Sequence, residues 1–330
     1  MWYTSYDMAD EGFFMREEGL IGIPEGGEGL FKVGRDGVER ILATGDGKVD
    51  FICREDGKVL AYVKSQMGYP AIYPLHPARI EKPIRAVLMD LDGTTVRSED
   101  FWVRIIERTT ARLLGNPRFE LEEADLPYVS GHSVSEHLQH CIRKYCPEKT
   151  VEEARKYYFE ITRREMAAIL EGKGRVDAFV PTPGLKDFLL ALKDRGIKIG
   201  LVTSGLYEKA WPEIYAAFQQ LGMGDPRDFY DAIVSVGYPI TKGHVGTLGE
   251  LEPKPHPWLY AETARVGLGI QFSDRHHVVG IEDSGAGVVS IRLAGFAVIG
   301  FAGGNIRESG TESLCSHFCG TFEEILGMIR

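Results

Sequence analysis

Residues 84–95 read Ile-Arg-Ala-Val-Leu-Met-Asp90-Leu-Asp92-Gly93-Thr94-Thr95, an apolar run that stops at two closely spaced aspartates. Such a run predicts a strand buried on both faces, as in a parallel sheet. Open α/β sheets gather their chemistry at the carboxyl ends of such strands. In extended chain, residues two apart point the same way, so Asp90 and Asp92 can serve one site. Carboxylates that close repel each other, and a bound cation is the natural counterweight. Gly93 then lets the backbone turn sharply away.

From residue 84 onward, strand-like and helix-like stretches alternate, with strands expected at 84–90, 197–203, 231–235, 277–282 and 296–301. That order predicts an α/β fold with a doubly wound, Rossmann-like parallel sheet. A long insert at 98–180 carries helical periodicity and no convincing strand. Ser133-Val-Ser-Glu136 forms a capping box that opens one of its helices, and Glu152–Gly172 is another. Pro181-Thr-Pro-Gly184 brings the chain back before a helix at 185–195. The expected division is a β-rich N-terminal module at 1–80, a catalytic core at 81–97 and 181–330, and an all-helical cap at 98–180.

The first 80 residues have a different texture. Asp-Gly pairs fall at 36–37, 46–47 and 56–57, between β-rich pieces such as Lys48–Cys53 and Lys58–Val63. Asp-Gly in that setting signals hairpins, so a meander of about four strands is expected. The three-proline stretch Gly68–Pro77 reads as a linker. Packing or self-association into a homo-oligomer is the ordinary role of such an appendage, and ligand binding or gating the rarer one.

A net charge of −10 and a pI near 5.5 argue against a nucleic-acid-binding surface. No run approaches the ~20 apolar residues of a membrane span, and Met1–Asp7 lacks a signal peptide's layout. Five scattered cysteines, an odd number, fit reduced thiols and a cytoplasmic location.

Three further pieces end or follow predicted strands: Thr203-Ser204-Gly205, Lys254-Pro255-His256-Pro257, and Glu282-Asp283-Ser284-Gly285-Ala286-Gly287. Taken singly, each has an ordinary explanation. Thr-Ser caps helices, lysine before proline is usually solvated, and Glu-Asp after a strand is usually a capping pair. An EF-hand is disfavoured at Asp90 because Leu91 is apolar and the loop's glycine and glutamate do not follow. The four pieces occur together, in order, at strand ends that a parallel sheet brings to one edge.

On these four motifs, residues 84–330 resemble the haloacid dehalogenase superfamily of phosphotransferases, and the insert resembles the helical cap of its β-phosphoglucomutase-like and phosphoglycolate-phosphatase-like members. Residues 1–80 lie outside the resemblance. It implies an Mg²⁺-dependent enzyme in which Asp90 is the nucleophile, forming an aspartyl-phosphate. Asp92 would be the acid/base. Thr203 and the backbone groups of Ser204 and Gly205, with Gly93, would hold phosphoryl oxygens, and Lys254 would neutralise them. Asp283, Asp90 and the Asp92 carbonyl would ligate Mg²⁺, with Glu282 a direct or water-bridged partner.

Keeping Asp92 fits transfer to or from an alcohol oxygen, because the superfamily's dehalogenases and phosphonatases lack an aspartate there. Mutases of the β-phosphoglucomutase kind carry a histidine after the first motif and an arginine after a cap-loop glycine. Trp102 stands at the first position, and Val134 at the second if Gly131 is that glycine. Ser98-Glu99-Asp100-Phe101-Trp102 instead resembles a stretch of some sugar-phosphate phosphatases, although Arg97 departs from their aspartate. The expected substrate is a small phosphorylated metabolite, a sugar or polyol phosphate, read by the cap loop at Gly131 and His132. A zinc site at His132, His137 and His140 is the less economical reading of these histidines. A phosphomutase, or a regulatory protein with vestigial catalysis, are the alternatives to a phosphatase.

Overall fold

A computed structural model describes residues 13–64, 70–128, 134–236 and 252–329. The chain divides into two compact units, one of residues 1–90, 183–204 and 227–330, the other of 91–182 and 205–226.

The first unit holds two sheets on one continuous core. The antiparallel sheet comprises β1 (Ile21–Ile23), β2 (Val38–Ala43), β3 (Val49–Arg54), β4 (Val59–Val63) and β5 (Ala71–Leu75), paired in that order. Period-2 alternation sorts its side chains. Val49, Phe51, Cys53, Val59, Ala61 and Val63 face the common core, while Ile52 and Tyr62 join Val38 and Ile41 in a small outer cluster. The Asp-Gly signals mark real turns, with Gly37, Gly47 and Gly57 all left-handed (φ +73°, +67° and +78°). The expected linker is a correction. Residues 71–75 pair with β4 as an edge strand, where Pro74 needs to donate no outer ladder bond. The meander therefore has five strands, plus a short hairpin pairing Glu25–Gly26 with Phe31–Lys32.

The second sheet is parallel: β6 (Ala86–Asp90), β7 (Lys198–Leu206), β8 (Ala232–Val236), β9 (Val278–Glu282), β10 (Ala297–Phe301) and β11 (His317–Cys319). Its order is β8-β7-β6-β9-β10-β11, which puts the Asp90 strand beside both the Thr203 and the Glu282 strands. Five of these strands stand where expected; β11 is too short to show in the pattern. In this unit α4 (Leu185–Asp194), α6 (Trp258–Glu262), α7 (Gly285–Leu293) and α8 (Phe322–Met328) accompany the sheets. Helix α7 packs on β10 and also on β5 of the antiparallel sheet, so every residue along it from Gly287 to Leu293 is buried. Its Arg292 is fully buried and donates to the carbonyls of Phe13, Phe14 and His76 at 3.2, 2.6 and 3.2 Å. Burial lowers its pKa to about 10, which still leaves the guanidinium charged at neutral pH.

The second unit contains α1 (Glu99–Leu114), α2 (Val134–Tyr145), α3 (Val151–Leu170) and α5 (Tyr207–Leu221). Helix α3 packs on both α1 and α5. Thr150 caps α3 by accepting from the Glu153 amide. A two-residue ribbon pairs Val96–Arg97 with Val180–Pro181, a strand pair the insert's periodicity did not show. Buried Asp125 accepts from His140 Nε2, Lys144 Nζ and Tyr145, which ties the turn at 123–128 to α2. His140 thereby has a structural partner. Ser133 and the start of its capping box lie outside the described residues, as do Gly131, His132 and the 237–251 segment. No described helix is long and apolar enough to cross a membrane.

Candidate active site

Asp90 ends β6 and Glu282 ends the adjacent β9, so the parallel register brings both carboxylates to one edge. Asp283 follows, and Ser284 then caps α7 by accepting from the Gly287 amide at 3.1 Å. Lys254 reaches this edge from the loop before α6. Its Nζ bonds Asp90 Oδ1 and lies 2.5 Å from Glu282 Oε1. The side chains of Lys254, Asp90 and Glu282 are only 7%, 7% and 0% exposed. Burial disfavours the lysine's charge, but the two carboxylates more than offset it and hold its pKa above the ordinary value.

Glu282 is held from all sides. Oε1 also accepts from Tyr260 Oη at 2.7 Å, and Oε2 accepts from the Ser284 amide and hydroxyl at 3.1 and 3.0 Å. Burial and the Glu282 charge keep the Tyr260 phenol protonated, so it serves as a donor. Two glycines make room: a Cβ on Gly287 would overlap the Glu282 carboxylate, and one on Gly304 would overlap Asp283. Tyr260 and Gly304 were not singled out from sequence, and Ser284 and Gly287 stood there only as members of the fourth motif. The Gly-Ala-Gly turn after Glu282 was the one local hint of close approach.

Carboxylate oxygens of Asp90, Glu282 and Asp283 lie within 4.8 Å of one another, the only such cluster of potential metal ligands among the described residues. Lys254 contacts two of these three buried carboxylates, and carboxylates gathered this closely favour a further cation. An all-oxygen donor set suits Mg²⁺.

Thr203 is buried in β7, and Ser204 Oγ accepts from the Lys254 amide at 3.1 Å, which joins the second and third motifs. The strand expected to end at residue 203 is a correction: it continues through Leu206, and α5 begins at once at Tyr207. Gly205 therefore lies in extended chain rather than in a loop.

Within the second unit, Gly93 has a left-handed φ of +82°, and its amide donates to Val96 O at 2.8 Å. Asp92 is exposed, and its Oδ1 accepts from Ser98 Oγ at 2.7 Å. A second neighbour had no sequence signal. Glu213, 2% exposed on α5, lies beside Asp92 and Trp102. Burial first, and the Asp92 charge second, hold its carboxyl well above the ordinary range, so it stands as a neutral acid beside Asp92. Lys209 lies 3.7 Å above the Trp102 ring and 3.3 Å from Tyr158 Oη.

This carboxyl carries a pH signature. Above its ordinary value of 4.5 and below its raised folded value, folded Glu213 holds a proton that the unfolded chain releases. Its contribution to stability therefore falls as pH rises through that window. Glu213→Gln keeps a neutral group beside Asp92 without the titration. The variant is expected to match the wild type in melting temperature near pH 4 and to gain several degrees by pH 8. A gap that does not widen with pH in paired thermal melts would refute this.

A model of haloacid dehalogenase-like hydrolases matches residues 84–295. No curated protein sequence matches the chain. Among solved structures, CbbY from Rhodobacter sphaeroides in complex with phosphate is similar at 22% identity and TM-score 0.51, over 73% of this chain and 96% of that one. A predicted phosphoglycolate phosphatase from Haemophilus somnus is similar at 18% identity and TM-score 0.54, over 76% and 99%. A haloacid dehalogenase-superfamily hydrolase of subfamily IA from Geobacter sulfurreducens is similar at 16% identity and TM-score 0.52, over 77% and 100%. At such identities the likeness concerns the fold.

Proposed function

Because the chain belongs to the haloacid dehalogenase-like hydrolases, we propose that it is an Mg²⁺-dependent phosphatase of a small phosphomonoester, a sugar or polyol phosphate, acting through an aspartyl-phosphate. The observation that carries the reading is the Asp90–Lys254–Glu282 contact, with Asp283 beside it, at the carboxyl edge of adjacent parallel strands.

In this reading an Asp90 carboxylate oxygen attacks phosphorus, and the bond from phosphorus to the ester oxygen breaks. Asp92 in its protonated form gives that proton to the leaving alkoxide. Asp92 then takes a proton from a water, whose oxygen attacks phosphorus and releases Asp90 and phosphate. Lys254 offsets the charge of nucleophile and phosphoryl group together, and Thr203 and Ser204 supply hydroxyls to the phosphoryl oxygens. Asp90, Asp283 and the Asp92 carbonyl would hold Mg²⁺, which when bound supplies positive charge to the transferring group. Glu282 takes the water-bridged role, since its two oxygens already accept four hydrogen bonds. Trp102 in place of a mutase's histidine supports hydrolysis over phosphoryl return.

The test is phosphate release by the purified protein over a panel of phosphorylated metabolites. Release is expected with Mg²⁺, with a fall of at least about 100-fold in EDTA and recovery on adding Mg²⁺ back. Release that ignores EDTA, or a panel with no substrate, would overturn the proposal.

A further inference from the structure

The antiparallel sheet, which lies outside the matched family region, touches the loop that bears Lys254. Tyr73 on β5 places its hydroxyl 2.9 Å from Nδ1 of His256, two residues beyond the lysine. Its ring meets the His256 and Trp258 rings edge-on, at centroid distances of 5.8 and 6.0 Å. The other end of His256 is also held, since its carbonyl accepts from buried Ser290 of α7 at 2.6 Å. A second contact lies nearby. The β2–β3 turn, through Thr44, Asp46 and Val49, lines a crevice with Pro255, Gly285 and Ala286. Gly45 there donates to Ser309 O at 2.9 Å. The sheet thus touches the two stretches that follow Lys254 and Asp283.

We propose that Tyr73 is a positioning residue, which holds the Lys254 loop in register with Asp90 through its bond to His256. The proposal rests on the role given to Lys254 above and assigns the antiparallel sheet a part in it. Loops are mobile unless tied, and a charge displaced by ~1 Å can cost about 100-fold in rate. Among the described residues the backbone of this loop is tied by the Lys254 amide to Ser204 Oγ at 3.1 Å, the His256 amide to Pro253 O at 3.1 Å and the His256 carbonyl to Ser290. Pro255 and Pro257 have no amide to offer. The side-chain bond from β5 therefore supplies a restraint the loop cannot make for itself. Burial lowers the His256 pKa and raises that of Tyr73, which suits a neutral imidazole accepting from a phenol.

Tyr73→Phe removes only the hydroxyl. In the full chain, kcat for Mg²⁺-dependent hydrolysis of p-nitrophenyl phosphate is expected to fall about 5- to 20-fold, with KM within about twofold. Hydrogen exchange at the Lys254, His256 and Trp258 amides should accelerate about 5-fold, while β3 and β4 keep their protection. Ile72→Thr, at the exposed neighbouring position, should change neither readout. Unchanged exchange in the loop, or accelerated exchange with unchanged kcat, would overturn the proposal. Should the wild-type protein hydrolyse no phosphomonoester, the reading of the site fails by itself. The loop tie is then judged on exchange alone, and equal rates in Tyr73→Phe and wild type would refute it.

Discussion

Asp90→Asn is expected to remove turnover, by at least about 1,000-fold in kcat, while leaving the fold intact. Asparagine is nearly isosteric, and its oxygen still accepts from Lys254. What it lacks is the negative charge and the nucleophilic oxygen. Lys254 keeps Glu282 as its counter-charge, and the cluster loses one of three buried carboxylates. The variant should therefore melt at or above the wild-type temperature, an active site relieved of repulsion at the expense of function. Phosphate release and thermal melts on the same preparation test both halves. Activity within tenfold of wild type would remove Asp90 from the proposed chemistry.

Lys254→Met should fail differently. It deletes the cation that bonds Asp90 and Glu282, two groups 7% and 0% exposed in their side chains. Removing one partner of a buried ion pair costs roughly 3–5 kcal/mol, because the other charge stays behind. In a chain of this size that corresponds to a fall of the order of 10 °C in melting temperature. Catalysis should fall at least about 100-fold through lost stabilisation of the phosphoryl charge. Adding Mg²⁺ should return part of the stability, since a second cation would then meet the same carboxylates, but not the rate. An unchanged melting temperature would mean that the pair is not buried as described. The two variants thus separate loss of chemistry from loss of charge balance.

Several elements were legible because their signals are local. The β-rich pieces along 48–63 and the Asp-Gly pairs between them predicted hairpins, and apolar runs stopping at acids or hydroxyls predicted strand ends. The edge strand at 71–75 was obscured by its prolines, which mark a linker as readily as an edge. The three-residue strand at His317–Cys319 is too short to carry a period. The pairing of Asp92 with Glu213 joins distant residues, and its one clue was a carboxylate on an otherwise apolar helix face. Arg292 posed a similar clue, a cation within Val288-Val-Ser-Ile-Arg-Leu293, and its partners proved to be backbone carbonyls almost the whole chain away.

By itself the sequence determined the parallel α/β core, the helical insert and the order of the four motifs, because strand period, turn chemistry and burial are written within a few residues. Which groups meet was decided only by tertiary structure. Tyr260 and Ser284 close on Glu282, Glu213 on Asp92, and Tyr73 on His256, through contacts whose strength depends on distance and dehydration. Neither quantity exists until the chain has packed.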